Sequence, residues 1–476
     1  MADEVELKLE LTPEAADEIE ASGLLSGDPE TARQEAIYFD TPDRDLAKGG
    51  LSLRIRRSDG KSVQTIKADD AGAAGLFARS EWERPVENGT PVLDDTAPVR
   101  GLLGDAADAI VPIFEVRVER RTWIVGDGDT VIELVLDRGE VVAGDRRAPI
   151  CEIELELKGG DPAGLFALAR RIDAAAPVRL GVRSKAERGY LLLAPAATRA
   201  KAEPVALARD MTAAQAFRRI VQSCVRQFRL NEALLAAGRD PEALHQARVA
   251  LRRLRSAFSI FKPMIDDGGA DLRAGLRWLA SELGDARNLD VLLERTRPGP
   301  LHDRLAAARE VAYDRVGDAL SSPRARRLML GLVELTASGE VDGDQPARAF
   351  ARTALGRFRR KVKKEARDLA HADDRVRHEV RKHAKKLRYA GEFFASLFAR
   401  KRERRRYKRF VAALEMLQGQ LGLLNDLATA PDILKKLGVA DDPEAARLLA
   451  RGRKKSLVEK ADRAREALLD TKRYWR

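Results

Sequence analysis

The sequence predicts an α+β protein of two domains. One is an antiparallel β-barrel with a charged lumen over residues 1–197; the other is an all-helical domain with two internal repeats over 205–476. Three observations predict it. Segments of the first 200 residues alternate charged and apolar side chains with a period of two. The remainder is rich in Ala, Leu, Arg, Lys and Glu at helical spacing, and one cationic helix pattern occurs in it twice. Charge divides at the same place: residues 1–200 carry a net −12 and the rest +23, against +11 for the whole chain. A chain of 476 residues is long enough for two or more domains.

The strand-like segments carry the chemistry of the first half. In Glu4-Val5-Glu6-Leu7-Lys8 the two acids and the lysine share one face, and Val5, Leu7 and Leu9 share the other. Leu51-Ser52-Leu53-Arg54-Ile55-Arg56 aims Arg54 and Arg56 the same way, and Thr65-Ile66-Lys67 and Glu81-Trp82-Glu83 add further charge. Val131–Asp137 places Glu133 and Asp137 on one face, and Glu152-Ile153-Glu154-Leu155-Glu156 is purely acidic on its polar side. A sheet with one wet face also alternates, but it mixes signs. Here some strands carry acids and others bases. A closed barrel would bring acidic strands opposite basic ones and would abolish sheet edges. Carboxylates beside cations suit a site for a divalent metal and a phosphate together.

Taken in order, these segments resemble the CYTH, or triphosphate tunnel metalloenzyme, family over roughly residues 1–195. The opening Glu-x-Glu-x-Lys is met by Glu4, Glu6 and Lys8. Tyr38-Phe39-Asp40-Thr41-Pro42, the paired-arginine strand at Arg54 and Arg56, the acidic strand Glu152–Glu156 and the closing Ser184-Lys185-Ala186-Glu187-Arg188-Gly189-Tyr190 follow. The resemblance implies a barrel of about eight strands and metal-assisted hydrolysis or transfer at a triphosphate, with Mg²⁺ or Mn²⁺ as cofactor. It assigns catalysis to Glu4, Glu6, Lys8 and Lys185, and metal binding to Glu4, Glu6, Asp137, Glu152 and Glu154. Substrate phosphates fall to Lys8, Arg54, Arg56, Lys67, Arg120, Lys185 and Arg188. A second metal or a carboxylate such as Glu133 or Asp137 would orient the attacking water; the sequence does not choose between them.

The small-residue, proline-bounded stretch Ala194–Pro204 is the expected linker. The two cysteines, Cys151 and Cys224, lie one on each side of it; they form no disulfide framework and read as packing residues. No basic-then-apolar leader opens the sequence, and no apolar run approaches the roughly 20 residues a membrane span needs. The expected setting is soluble and cytoplasmic, with polyphosphate granules a candidate location, and with no membrane contact. The oligomeric state is left open.

In the second half, His245, Arg248, Arg252 and Arg255 fall within an arc of about 80° on one helix, opposite Leu251, Leu254, Phe258 and Phe261. The pattern returns 133 residues later: His378, Arg381, Lys385, Lys386 and Arg388 overlay His245, Arg248, Arg252, Arg253 and Arg255. Lys382 joins the second stripe. The half is a duplication, expected as two helical bundles. The stripes have few acids at i+4 to offset them, whereas Arg400–Arg409 reads as a solvated face. This half resembles the CHAD domain over roughly 205–476, which implies inorganic polyphosphate as a partner bound along the basic surface. His245 and His378 fit two roles, donating to phosphate or bridging helices. Nucleic acid is the poorer partner: aromatics are 5% of the chain, and no helix-turn-helix or zinc-finger spacing occurs.

Three functional readings follow. The first is an enzyme that hydrolyses inorganic triphosphate while the helical domain holds polyphosphate. The second is a non-enzymatic polyphosphate-binding protein. A third uses the same tunnel on an organic triphosphate.

Overall fold

A computed structural model of the protein describes residues 4–68, 74–79, 81–87, 89–94, 98–265, 269–337, 341, 343–449 and 452–476. The chain divides into two compact units, Met1–Thr198 with Arg326–Ser338, and Arg199–Ala325 with Gly339–Arg476.

The first unit is a curled antiparallel sheet. Its strands are β1 (Glu4–Glu10), β2 (Glu30–Asp40), β3 (Leu51–Ser58), β4 (Lys61–Ala68), β5 (Leu76–Arg79), β6 (Glu81–Pro85), β7 (Val111–Asp127), β8 (Thr130–Ala143), β9 (Arg146–Gly159) and the two-residue β10 (Arg179–Leu180). The order is β10-β1-β9-β8-β7-β2-β3-β4-β6, and β5 pairs with β1. Residues 76–79 therefore pair with β1 while 81–85 pair with β4, so this one run bridges the two ends of the sheet. Counting that run as one rung, β9 lies opposite β3 and β8 opposite β4. This is the arrangement that sets acidic strands against basic ones.

Local sequence explains the meander. Asp59 and Gly60, at φ 50° and 76°, make the two-residue turn between β3 and β4, since such hairpin turns need positive φ at both positions. Gly-Asp pairs turn β7 into β8 and β8 into β9. Helices α1 (Pro13–Ala21), α2 (Asp45–Lys48), α3 (Pro98–Leu103), α4 (Ala163–Ala175) and α5 (Lys185–Leu192) complete the unit. On the outer face, Phe39, Leu46, Leu53, Ile55, Ile66, Val86 and Val99 form one apolar cluster.

The interior is not charged throughout. Tyr38, Phe114, Val116, Val118, Val141 and Ile150 stand at the alternate positions that continue the charged face of their strands, and they pack with Ala186 of α5 and its neighbour Tyr190. One end of the lumen is filled with apolar side chains; only the other part is a charged cavity.

The second unit is helical: α6 (Ala213–Ala237), α7 (Pro241–Ile260), α8 (Ala270–Leu293), α9 (Pro300–Ser321), α10 (Pro323–Ala337), α11 (Ala347–Glu365), α12 (Asp374–Phe393), α13 (Lys401–Lys436), α14 (Pro443–Leu448) and α15 (Gly452–Asp470). Residues 326–337 of α10 group with the sheet unit. The 133-residue offset carries α7 onto α12 residue for residue, from N-cap Asp240 onto Asp373 to C-cap Phe261 onto Phe394. The 3-10 turn at 262–264 falls on the one at 395–397. The repeats do not form two separate bundles. Phe217 and Phe261 of the first pack into Phe350 and Phe394, their equivalents in the second, with Phe261 stacked on Phe350 at 4.5 Å between centroids. The basic run Arg400–Arg409 caps and opens the 36-residue α13.

Candidate active site

The register of β7, β8, β9 and β1 lines up the acidic wall. Arg120 pairs with Asp137, Asp137 with Glu152, and Glu152 with Glu10. The next inward row holds Val135, Glu154 and Lys8, and the next Glu133, Glu156 and Glu6. Opposite, β3 and β4 present Arg54, Arg56 and Lys67, with Glu81 and Glu83 of β6 alongside. A cavity of about 840 Å³ lies between the walls, lined by Glu6, Lys8, Arg54, Arg56, Arg120 and Lys185 among others.

At its floor is a dense charge cluster. Lys8 Nζ donates to Glu152 Oε1 at 3.0 Å and Glu154 Oε1 at 2.5 Å, and stands 3.6 Å from Glu6. Lys185 Nζ lies 2.7 Å from Asp137, 2.6 Å from Glu152 and 2.8 Å from Glu154. Arg120 donates to both Asp137 oxygens, at 2.8 and 2.6 Å, and to Glu154 Oε2 at 3.1 Å. Burial alone would push these carboxyls up. Lys185 and Lys8 outweigh it at Glu152, Lys185 and Arg120 at Asp137, and all three cations hold Glu154 well below the usual carboxylate range. Burial opposes the charged form of Lys8 and Lys185 too, and the same carboxylates raise both above the ordinary lysine value. Arg56, on the facing wall, is lowered by burial and by Arg54 beside it. Beside it, burial opposes the charge of Arg54, but Tyr38 and Glu81 outweigh it and raise that guanidinium.

The cationic stripes of the helical unit also meet. Burial together with Arg287, Arg252 and Arg248 pushes His245 down to about 4. Burial, Arg252, Arg381, Arg388 and Arg248 push Lys385 down to about 6, and burial with Arg252 and Arg287 brings Arg248 to about 10. Residues of α7 and α12 thus share one field. Among the described residues no carboxylate forms an ion pair with Arg248, Arg252, Arg381 or Lys385, and the buried Nε atoms of Arg248 and Arg381 lack a hydrogen-bond partner.

The family models match these two parts in turn: the CYTH domain model over residues 2–190 and the CHAD domain model over 219–435. The chain carries a CYTH domain followed by a CHAD domain. The chain is similar to an inorganic triphosphatase of Haemophilus influenzae, at 34% identity over 200 residues, 40% of this chain and 55% of that protein. It thus spans about half the length of that relative. An uncharacterized protein of Mycobacterium tuberculosis is 28% identical over 406 residues, 75% of either chain. Among solved structures, the CHAD domain from the plant Ricinus communis matches with 31% identity and a TM-score of 0.50, covering 58% of this chain and 97% of that one.

In the CYTH domain, Glu6, Lys8, Arg54, Arg56, Lys67, Arg120, Glu154 and Lys185 all line the cavity. Glu4 begins β1, but its side chain lies outside the described residues. Arg188 does not line the cavity; it pairs with Glu10 at 2.5 Å and lies 3.5 Å from Glu152. Asp137 and Glu152 are sealed beneath the floor at 0% exposure. Asp137, Glu152 and Glu154 each bring an oxygen within 4.8 Å of the others, a donor set of hard oxygens that fits a divalent cation. Glu152 Oε2 is buried and accepts no hydrogen bond among the described residues, which leaves it a lone pair to give. Both oxygens of Asp137 are already engaged by Arg120 and Lys185, so its first effect is to position those two cations. Sequence reasoning missed Lys158, which lines the cavity beside Glu156 at 2.5 Å; its spacing two residues after Glu156 was the available signal.

The closing Arg-Gly-Tyr has a steric cause. A Cβ on Gly189 would stand 2.1 Å from the Phe114 ring. Gly189→Ala is expected to destabilise the CYTH domain by about 1–3 kcal/mol in urea unfolding, as overpacking does elsewhere. The Tyr190 hydroxyl donates to buried Asp40, which also accepts from the backbone of Thr41, Leu46 and Ala47 and so ties α5 to α2.

In the CHAD domain one expectation is corrected. Arg253 does not belong to the cationic surface: it is 2% exposed, donates to Gln227 at 2.9 Å and lies over the Phe393 ring at 5.3 Å. One helical step from Arg252 turns it from the groove into the core. Arg255 is exposed beside Arg277, and Lys386 lies near Lys361 and Lys382. Lys382 and Arg388 are paired with Glu379 and Glu392. His378 Nδ1 lies 2.8 Å from Asn425 Oδ1, a bridge between α12 and α13. No helix among the described residues is long and apolar enough to cross a membrane.

Proposed function

We propose that the CYTH domain hydrolyses inorganic triphosphate to pyrophosphate and phosphate with Mg²⁺ or Mn²⁺, and that the CHAD domain binds inorganic polyphosphate. The observation that carries the first part is the opposition of an arginine-rich wall to a compensated acidic floor across one cavity. Arg54, Arg56 and Lys67 would hold the outer phosphates, displacing the contacts they make with Glu83 at 3.5 Å and Glu81 at 2.8 Å. Lys8, Lys185 and Arg120 would hold the phosphate nearest the floor. Glu6, Glu152 and Glu154, with Glu4, are the residues that would hold the metal. The cation supplies Lewis-acid polarisation of phosphoryl oxygens. Of the two carboxylates considered for orienting water, Glu133 faces the cavity and takes that role here.

An inorganic substrate is favoured by the lining. Tyr38 is the one aromatic among the described lining residues; its ring is stacked on Phe114 at 4.6 Å and the residue is only 3% exposed, so it makes a poor platform for a base. The filled end of the lumen admits substrate from one side. The floor's three carboxylates already balance Lys8, Lys185 and Arg120, so metal alone has little net charge to answer. Mn²⁺ is expected to bind at least about ten-fold more tightly with a non-hydrolysable triphosphate analogue present, read by titration calorimetry.

Arg248, Arg252, Arg381 and Lys385, which have no carboxylate partner among the described residues, support the second part: a polyphosphate carries charge at every unit and needs no base-stacking surface. A substrate panel tests the whole reading. Phosphate release confined to inorganic triphosphate, absent with ATP and long polyphosphate, is the expected result; release from ATP at an equal rate would refute the inorganic preference.

A further inference from the structure

The acidic strand β9 ends on a cation. Its residues on the cavity side run Glu152, Glu154, Glu156 and Lys158, and Lys158 lines the cavity. The Lys158 Nζ lies 2.5 Å from Glu156 and 3.4 Å from Glu133. Its stem therefore turns back and sets the ammonium in the row that β8, β9 and β1 share. That row is otherwise acidic, with Glu133, Glu156 and Glu6 side by side. Burial opposes the charge of Lys158, and Glu156 and Glu133 outweigh it and keep the side chain cationic. Distance decides what this ammonium can reach. The phosphate nearest the floor would lie in the row of Lys8 and Glu154. The Glu156 row is two residues further along β9, about 6.5 Å at strand rise. That step is comparable with the span from the first to the third phosphorus of a triphosphate. A pyrophosphate, with a single anhydride link, falls short of it. On the facing wall Arg54 and Arg56 stand two residues apart on β3, the same step.

We propose that Lys158 binds the third phosphate of a triphosphate and so sets the chain length the cavity prefers. The proposal rests on the triphosphate reading of the CYTH cavity. With substrate bound, the ammonium divides its three protons between Glu156 and the phosphate oxygens. Without it, the outer phosphate would face the carboxylates of Glu133, Glu156 and Glu6, with no cation in that row among the described residues. The cation acts twice: it attracts the phosphate, and it masks the acids behind it. A pyrophosphate seated at the floor needs neither effect. After cleavage no product spans both rows, so no product keeps the full set of contacts.

The full chain, in the presence of Mn²⁺, would be titrated calorimetrically with a non-hydrolysable triphosphate analogue and, separately, with pyrophosphate. Wild type would be compared with Lys158→Met, which keeps the stem and loses the charge, and with Lys158→Arg, which keeps the charge. The Lys158 side chain is 37% exposed, so the effect belongs at the low end for a charged hydrogen bond. In Lys158→Met the analogue is expected to bind about ten-fold more weakly, and pyrophosphate within about two-fold of wild type. Lys158→Arg should recover most of the analogue's affinity. Unchanged analogue affinity in Lys158→Met, or an equal loss for both ligands, would overturn the proposal and leave the triphosphate reading in place. A wild-type chain that does not bind the analogue at all would overturn the triphosphate reading, and this proposal with it.

Discussion

Lys185→Met is expected to cost the CYTH domain about 3–5 kcal/mol of stability and to reduce triphosphate turnover by two orders of magnitude or more. One ammonium touches Asp137, Glu152 and Glu154, all within 2.8 Å. Removing it leaves buried carboxylates that Lys8 and Arg120 cannot balance, and an uncompensated buried charge costs more than the pair it came from contributed. The pH dependence separates this from simple loss of packing. The three carboxyls have folded values below their unfolded ones, so their contribution is present above about pH 4 and is lost as pH falls through the folded values. Lys8 and Lys185 are raised, so theirs is present below about pH 10 and is lost as pH rises through the folded values. In the variant the carboxyl values move up, and protonation relieves the strain. Urea denaturation should therefore show a smaller deficit at about pH 5 than at about pH 7.5; an equal deficit would mean that packing, not charge, is what Lys185 supplies.

Arg252→Glu combined with Lys385→Glu is expected to abolish polyphosphate binding while triphosphate hydrolysis in the CYTH domain continues. The pair reverses charge at the point where the stripes of α7 and α12 meet. Each removed phosphate contact should also flatten the dependence of log affinity on log salt by nearly one unit. Binding measured at several salt concentrations reads both. Unchanged affinity would place the polyphosphate path away from Lys385.

The tunnel walls were legible because alternation along a strand is a direct statement about faces. Glu6 and Lys8, Arg54 and Arg56, and Glu152 and Glu154 each kept the face their spacing predicted, and antiparallel register did the rest. The filled end of the lumen was not legible. Phe114, Val116 and Val118 share a face with Arg120 on one strand, so that face changes character midway, and the sequence shows only apolar residues that any core would use. In the helices the 133-residue repeat and both stripes were readable, but the fate of Arg253 was not. Its direction is set by Gln227 of the preceding helix α6 and by Phe393 of α12, in the other repeat. A basic helix face shows where charge is dense; only packing shows which member is drawn inward.

The most direct test of the account is phosphate release from inorganic triphosphate by the intact chain, with Mg²⁺ or Mn²⁺ and with chelator, beside Glu154→Gln. Glu154 accepts from Lys8, Lys185 and Arg120 and faces the cavity, so it joins the floor to the substrate. The account predicts metal-dependent release by the wild-type chain, abolished by chelator and reduced by two orders of magnitude or more in the variant. No release from triphosphate by the wild-type chain with either metal, alongside retained polyphosphate binding, would contradict it and leave a binding protein.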